Sequence, residues 1–233
     1  MNQRVTLTRQ ALRTPRAAAV AGIIFAVLFT ISLVLLQLAL PEELSGTGTA
    51  AWLQGNTATL TLALTLVPFA GIAFLWFIGV VRDRMGALED QFFSTVFFGS
   101  GLLFLAMMFV TAAIEGGILS SYAIEPDTLT KSGVLVVGRA VMYTITKVYA
   151  IRMAGVFMIA LATLWMRTGV MPRLFVFLSY ALALLLLVSS NLTSWLMLVF
   201  PAWVFVISMF ILVESLRGER AEAEGAVGSQ ESS

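Results

Sequence analysis

The chain has 233 residues, 59% hydrophobic and only 12% charged, with a formal net charge of +1. Soluble domains are about half apolar and a quarter charged, so this is the composition of a polytopic membrane protein, with no polar segment large enough for a soluble catalytic or sensor domain and no charge excess calling for nucleic acid. Cysteine and histidine are both absent, which excludes disulfides, thiolate nucleophiles, CxxC redox motifs, His-ligated haem or copper and His-based proton relays.

Residues 1–16 carry Arg4, Arg9, Arg13 and Arg16 and no acid, a basic leader expected in the cytoplasm. The apolar run from Ala17 to Leu40 has 24 residues. A signal-peptide core has roughly 7 to 15, so this run reads as an uncleaved first span. Pro41 to Asn56 ends it with proline, is rich in Gly and Thr and holds no Lys or Arg, so it is expected outside. A second span follows over about 57–81, where Pro68 predicts a kink or a packing irregularity.

Between this span and a third, over about 92–114, lies a short stretch holding Arg82, Asp83, Arg84, Glu89 and Asp90. Charges that dense belong in water, so the pair of spans is a hairpin with its turn at the membrane surface. Glu115, Gly116 and Gly117 close the third span, and an outer loop is expected over about 118–133, with Pro126 and Asp127 as its turn signal.

The stretch from Ser132 to Arg167 is too long for one crossing: as a helix it would measure roughly 54 Å against a hydrocarbon core of about 30 Å. Arg139, Tyr143, Thr146 and Lys147 share one helical face, with Val137, Val141, Ile145 and Val148 roughly opposite. We therefore expect 134–146 at the outer interface or as a tilted extension of the next span, and a fourth span over about 147–166. Arg167 and Arg173 bracket an inner loop containing Gly169 and Pro172. From Leu174 to Val213 no residue is charged, and Ser189, Ser190, Asn191, Thr193 and Ser194 divide this run into spans over about 174–190 and 195–213. Residues 214–233 are charged and rich in Gly, Ser, Ala and Glu, and are expected to be a disordered tail.

The expected architecture is thus all-α, a single six-span bundle over 17–213 with both termini cytoplasmic. That orientation puts the arginines of the leader, Arg82, Arg84, Arg167, Arg173, Arg217 and Arg220 inside and leaves only Lys131, Arg139 and Lys147 outside, as the positive-inside rule requires.

Arg152 is the sharpest single feature. Counted back from Arg167, it sits about 22 Å along the helix, in the outer third of the membrane, where a charge costs roughly 2.5 to 3.5 kcal/mol at mid-bilayer and needs a partner or water. Glu115 ends the third span on the same side, so Glu115, Lys147 and Arg152 form a candidate polar cluster with an ion pair between Glu115 and Arg152. The alternative is an Arg152 that snorkels to the headgroups beside an ordinary interfacial Glu115. Arg139, Tyr143 and Lys147 form a candidate surface for anionic lipid or a partner's acidic patch; the alternative is a solvated face of a surface helix. Gln37 is placed to hydrogen-bond across helices. Nothing resembles a catalytic constellation: the serines in the apolar runs have no base at hand, and no acidic pair or metal-ligand set occurs there, so no enzyme activity, metal or cofactor is expected.

Gly79, Asp83, Arg84 and Gly86 reproduce the G-x-x-x-D-R-x-G core of the loop between spans two and three of the major facilitator transporters. That resemblance covers eight residues and implies that Asp83 and Arg84 belong to a switchable charge network at the cytoplasmic helix ends. Ala87 and Leu88 stand where that family has a basic pair, and its members have twelve spans. The stretch from Pro68 to Phe109, with the arrangement of spans, is similar to uncharacterised multi-pass membrane proteins of actinobacteria and related bacteria, which implies a bacterial plasma membrane and no particular activity. The leading functional expectation is a non-enzymatic accessory component, with lipids and a partner membrane protein or second copy as its contacts. The alternatives are a small homodimeric transporter or channel, gated by Glu115, Lys147 and Arg152, and a lipid-binding or lipid-handling protein.

Overall fold

The computed structural model describes residues 2–39, 48–85, 91–124, 133–169, 171–188 and 194–231, with side chains over 16–39, 55–82, 92–124, 133–169, 171–188 and 195–217. The expected turns around Glu89 and Asp90, Pro126 and Asp127, and Ser189 to Thr193 lie outside the described residues. Among the described residues every element is helical and there is no strand: α1 (Asn2–Ala39), α2 (Gly48–Met85), α3 (Gln91–Ile124), α4 (Val134–Thr144), a π-helical turn (Ile145–Ala150), α5 (Ile151–Thr168), α6 (Arg173–Val188), a 3-10 turn (Ser194–Leu198) and α7 (Val199–Glu231).

Among the described residues five helical segments are long and apolar enough to cross a membrane: Arg16–Ala39, Gly55–Arg82, Phe92–Ile124, Val134–Thr168 and Trp195–Arg217. α6 is equally apolar but has only 16 residues. The outer faces carry large apolar side chains such as Trp76 and Leu174, 68% and 77% exposed. Surface of that kind around a whole bundle is stable in lipid and a liability in water.

α5 is the central helix. Its six consecutive residues from Ala160 to Trp165 are all buried, the mark of a helix covered on every side. α3 and α6 pack on it, α2 packs on α3, and α1 lies against α2 and α7. A cluster of phenylalanines joins five helices at mid-height. Phe74 of α2 lies 4.5 Å from Phe25 of α1, 5.7 Å from Phe104 of α3, 5.4 Å from Phe157 of α5 and 5.7 Å from Phe200 of α7, centroid to centroid. These spacings and their mostly tilted or edge-on geometry suit the ring quadrupole.

Hydrogen bonds add helix-to-helix ties. Ser32 Oγ donates to the carbonyl of Ala63 at 2.9 Å, and the hydroxyls of Thr163 and Tyr180 lie 2.8 Å apart. The Trp203 indole N–H donates to Ser179 Oγ at 2.8 Å, which itself donates to the carbonyl of Phe175 at 2.7 Å. Each such bond between membrane helices is worth about 0.6 kcal/mol on average.

Four stretches differ from the sequence expectation. α3 continues through Gly116 and Gly117 to Ile124, well into the expected loop, because α4 lies alongside it: Gly138 brings the backbone of α4 up to Ile114 and Ile118. Packing of that kind outweighs the low helix propensity of two glycines. At 134–146 the interfacial alternative gives way to the extension: the segment runs on through the π turn into α5, since no proline stands between Val134 and Thr168; that rod ends at Gly169, which adopts φ 66° and donates to the carbonyl of Trp165 at 2.9 Å, with Pro172 beyond it. α2 begins at Gly48, inside the expected outer loop, and passes through Pro68 without interruption. The backbone is also helical at both ends, from Asn2 and as far as Glu231. The tail expected to be disordered is rich in Ala, Glu and Arg, and a helix already nucleated in a span extends through such residues cheaply.

Gly101 of α3 shows how tightly the helices meet. A Cβ there would lie 2.7 Å from Ile78 Cδ1 and 3.0 Å from the Phe157 ring, whereas one at Gly99 would meet nothing within 4 Å. Overpacking such a site costs about 1 to 3 kcal/mol. Gly101→Val is expected to lower the thermal midpoint and the monodisperse yield in mild detergent, while Gly99→Ala leaves both unchanged or higher.

Candidate functional site

The two ends of the bundle carry different chemistry. At one end the Arg82 guanidinium lies 4.3 Å above the Phe98 ring and that of Arg167 lies 4.8 Å above Phe93, tying together the end of α2, the start of α3 and the end of α5. Asp83 and Arg84 belong to the last turn of α2 at this end rather than to a loop; their side chains lie outside the described residues.

At the other end α1, α3, α4, the π turn and the 3-10 turn line a half-open chamber of about 240 Å³. Its apolar lining is Leu33 and Leu36 of α1, Met108 of α3, Met142 of α4, and Met197 and Leu198 of the 3-10 turn. Charge enters from two walls: Glu115 from α3, and Arg139 and Lys147 from α4 and the π turn. Gln37, Tyr143 and the threonines Thr111 and Thr146 supply the remaining polar groups.

Helical spacing explains the grouping. Met108, Thr111 and Glu115 fall at i, i+3 and i+7 on α3, and Arg139, Met142, Tyr143 and Thr146 at i, i+3, i+4 and i+7, so each set forms one stripe. The stripes are tied together where the hydroxyls of Thr111 and Thr146 lie 3.1 Å apart. Height agrees as well. Lys147 stands about 30 Å along the helix from Arg167, and Glu115 about 34 Å from Phe92. Both are therefore about one hydrocarbon thickness from the arginine end.

The chamber thus brings Glu115 and Lys147 to one place and adds Arg139 and Tyr143 from the expected lipid-facing stripe. Arg152 is not among its described lining residues: its Nη1 donates to the carbonyl of Val148 at 2.7 Å, one turn back toward the chamber end. That is the direction in which a snorkelling arginine reaches for the headgroups. Thr111 carries no mark in the sequence except its place one turn before Glu115.

The π turn sets the azimuth of α4. A π turn holds about one residue more than an α turn, so it rotates everything before it relative to α5, and such turns recur at functional sites.

The fold and site together define a helical membrane bundle with one amphipathic chamber at an end. Compared with protein-family models, curated proteins and solved structures, the chain finds no match.

Deletion of Ile145 is expected to restore regular α-helix and swing α4 by about 100°, the angle per residue of an α-helix. Met142, 8% exposed, then leaves the chamber. In Met142→Cys on this cysteine-free background, the thiol should react slowly with an impermeant maleimide and become reactive when Ile145 is also deleted.

Proposed function

We propose that this protein is a non-enzymatic, lipid-binding component of a bacterial plasma membrane, retaining a phospholipid headgroup in the chamber between α1, α3 and α4. The observation that carries this reading is the juxtaposition in one headgroup-level cavity of Arg139 and Lys147 with an apolar lining of leucine and methionine. A phosphate ester needs cations and an acyl chain needs apolar surface; methionine suits an irregular, exchangeable chain because it is unbranched and polarisable. The accessory-protein and transporter readings have no comparably specific support.

The reading includes six crossings with both termini in the cytoplasm. α5 ends beside Arg167, and α7 is entered from the chamber end through Met197 and Leu198. The chain must return across the bundle between them, and α6 is the helix available to do so. At about 24 Å it is shorter than the hydrocarbon core, a mismatch that local thinning accommodates. The excess of arginines at the end of α2, the end of α5 and the start of α6 supports placing that end inside.

Each basic side chain near an anionic headgroup contributes about 1 kcal/mol, so the pair is worth roughly thirtyfold in affinity. Native mass spectrometry of the protein extracted in mild detergent should show retained phospholipid that is lost in Arg139→Gln/Lys147→Gln. Equal retention in that variant would remove the chamber as the lipid site, and a copurifying polypeptide at fixed ratio would return the weight to an accessory role.

A further inference from the structure

The chamber is lined by both signs of charge, and that narrows the headgroup. Resting on the reading of the chamber as a phospholipid site, we propose that it selects a zwitterionic aminophospholipid, with Glu115 receiving the primary ammonium and Arg139 and Lys147 the phosphate.

Glu115 is half-buried on the α3 wall beside Met108 and Thr111, and the two cations come from the adjoining wall of α4 and the π turn. A carboxylate at that position is costly in an apolar setting and needs a positive partner. A phosphate drawn to Arg139 and Lys147 brings a second negative charge into the chamber that Glu115 lines. With an anionic headgroup such as phosphoglycerol, Glu115 and the phosphate have to share the two cations, which counts against that ligand. A headgroup with its own ammonium gives Glu115 a positive partner and leaves both cations to the phosphate.

The geometry also separates a primary from a quaternary ammonium. A primary ammonium offers three N–H donors to a carboxylate, whereas choline-type groups offer none and are held by aromatic cages. Tyr143 is the sole aromatic among the described lining residues, so the chamber has a carboxylate and no cage. At about 240 Å³ it is below the size of drug-sized ligand sites, roughly 300 to 1,000 Å³. It therefore takes the headgroup and leaves the acyl chains along Met142, Met197 and Leu198 at its apolar side.

The test uses the full chain in detergent, exchanged against equimolar phosphatidylethanolamine, phosphatidylglycerol and phosphatidylcholine with identical acyl chains and read by native mass spectrometry. The unsubstituted protein should retain phosphatidylethanolamine over both others. Glu115→Gln should shift the ethanolamine-to-glycerol ratio toward phosphatidylglycerol by roughly tenfold, the scale of one charge-assisted hydrogen bond. Preference for phosphatidylglycerol or phosphatidylcholine in the unsubstituted protein overturns the headgroup assignment without requiring any variant to fold. An unchanged ratio in a monodisperse Glu115→Gln does the same. In either case the phospholipid reading survives if retention still depends on Arg139 and Lys147. Absence of any retained lipid, or retention indifferent to those two residues, overturns the underlying reading itself.

Discussion

Phe74 is the contact on which the bundle depends. Lipid tails are as apolar as leucine, so helices in a membrane gain nothing from merely hiding their side chains from water and must be held by close packing and a few hydrogen bonds. The Phe74 ring meets a ring from each of α1, α3, α5 and α7, and Phe200 repeats the pattern from α7 by touching Phe25, Phe104 and Phe157. With five helices interlocked at mid-height, their relative rotation and rise are set. Glycine allows this density at selected points: Gly22 of α1 sits directly against Ser208 and Phe77, where a side chain would collide.

The chamber is a consequence of that lock combined with unequal helix lengths. Beyond the phenylalanine layer, α3 and the α4 to α5 rod continue, whereas the described residues that meet the chamber from the α7 side belong to a short 3-10 turn. Space is left where the long helices outlast the short ones, and Met197 and Leu198 close part of it. The π turn then rotates Arg139 and Tyr143 inward, and the Thr111 to Thr146 contact ties that turn to α3. Polar groups are thus concentrated at the level where water and headgroups reduce the cost of burying them, while the mid-height layer is almost wholly apolar.

Much of this was legible in the sequence, and the reason differs from part to part. The stripe of Arg139, Tyr143, Thr146 and Lys147 follows from helical periodicity alone, and Glu115 stands out as a lone acid at the end of an apolar run. Their convergence was not legible. The Gly116 and Gly117 pair reads locally as a helix end, and only the neighbouring α4, approaching through Gly138, keeps α3 helical past it. Length alone leaves 134–146 either at the interface or as an extension of the following span, and the chain takes the second form, continuing through a π turn into α5. Arg152 is visible in the sequence as a charge within an apolar run, but which way its guanidinium turns depends on packing around α5.

By itself, the sequence determined that this chain is a set of apolar helices and which end of the bundle is rich in arginine. Those properties depend on hydropathy, length and charge along one strand of chain, and a bilayer reads them without reference to any neighbour. Tertiary structure alone decided that α5 is central, that α3 and α4 share one polar chamber, and that Glu115 faces it together with Arg139 and Lys147. Such choices depend on contacts between residues far apart in the chain, set by ring-on-ring packing and by the height at which each helix stops.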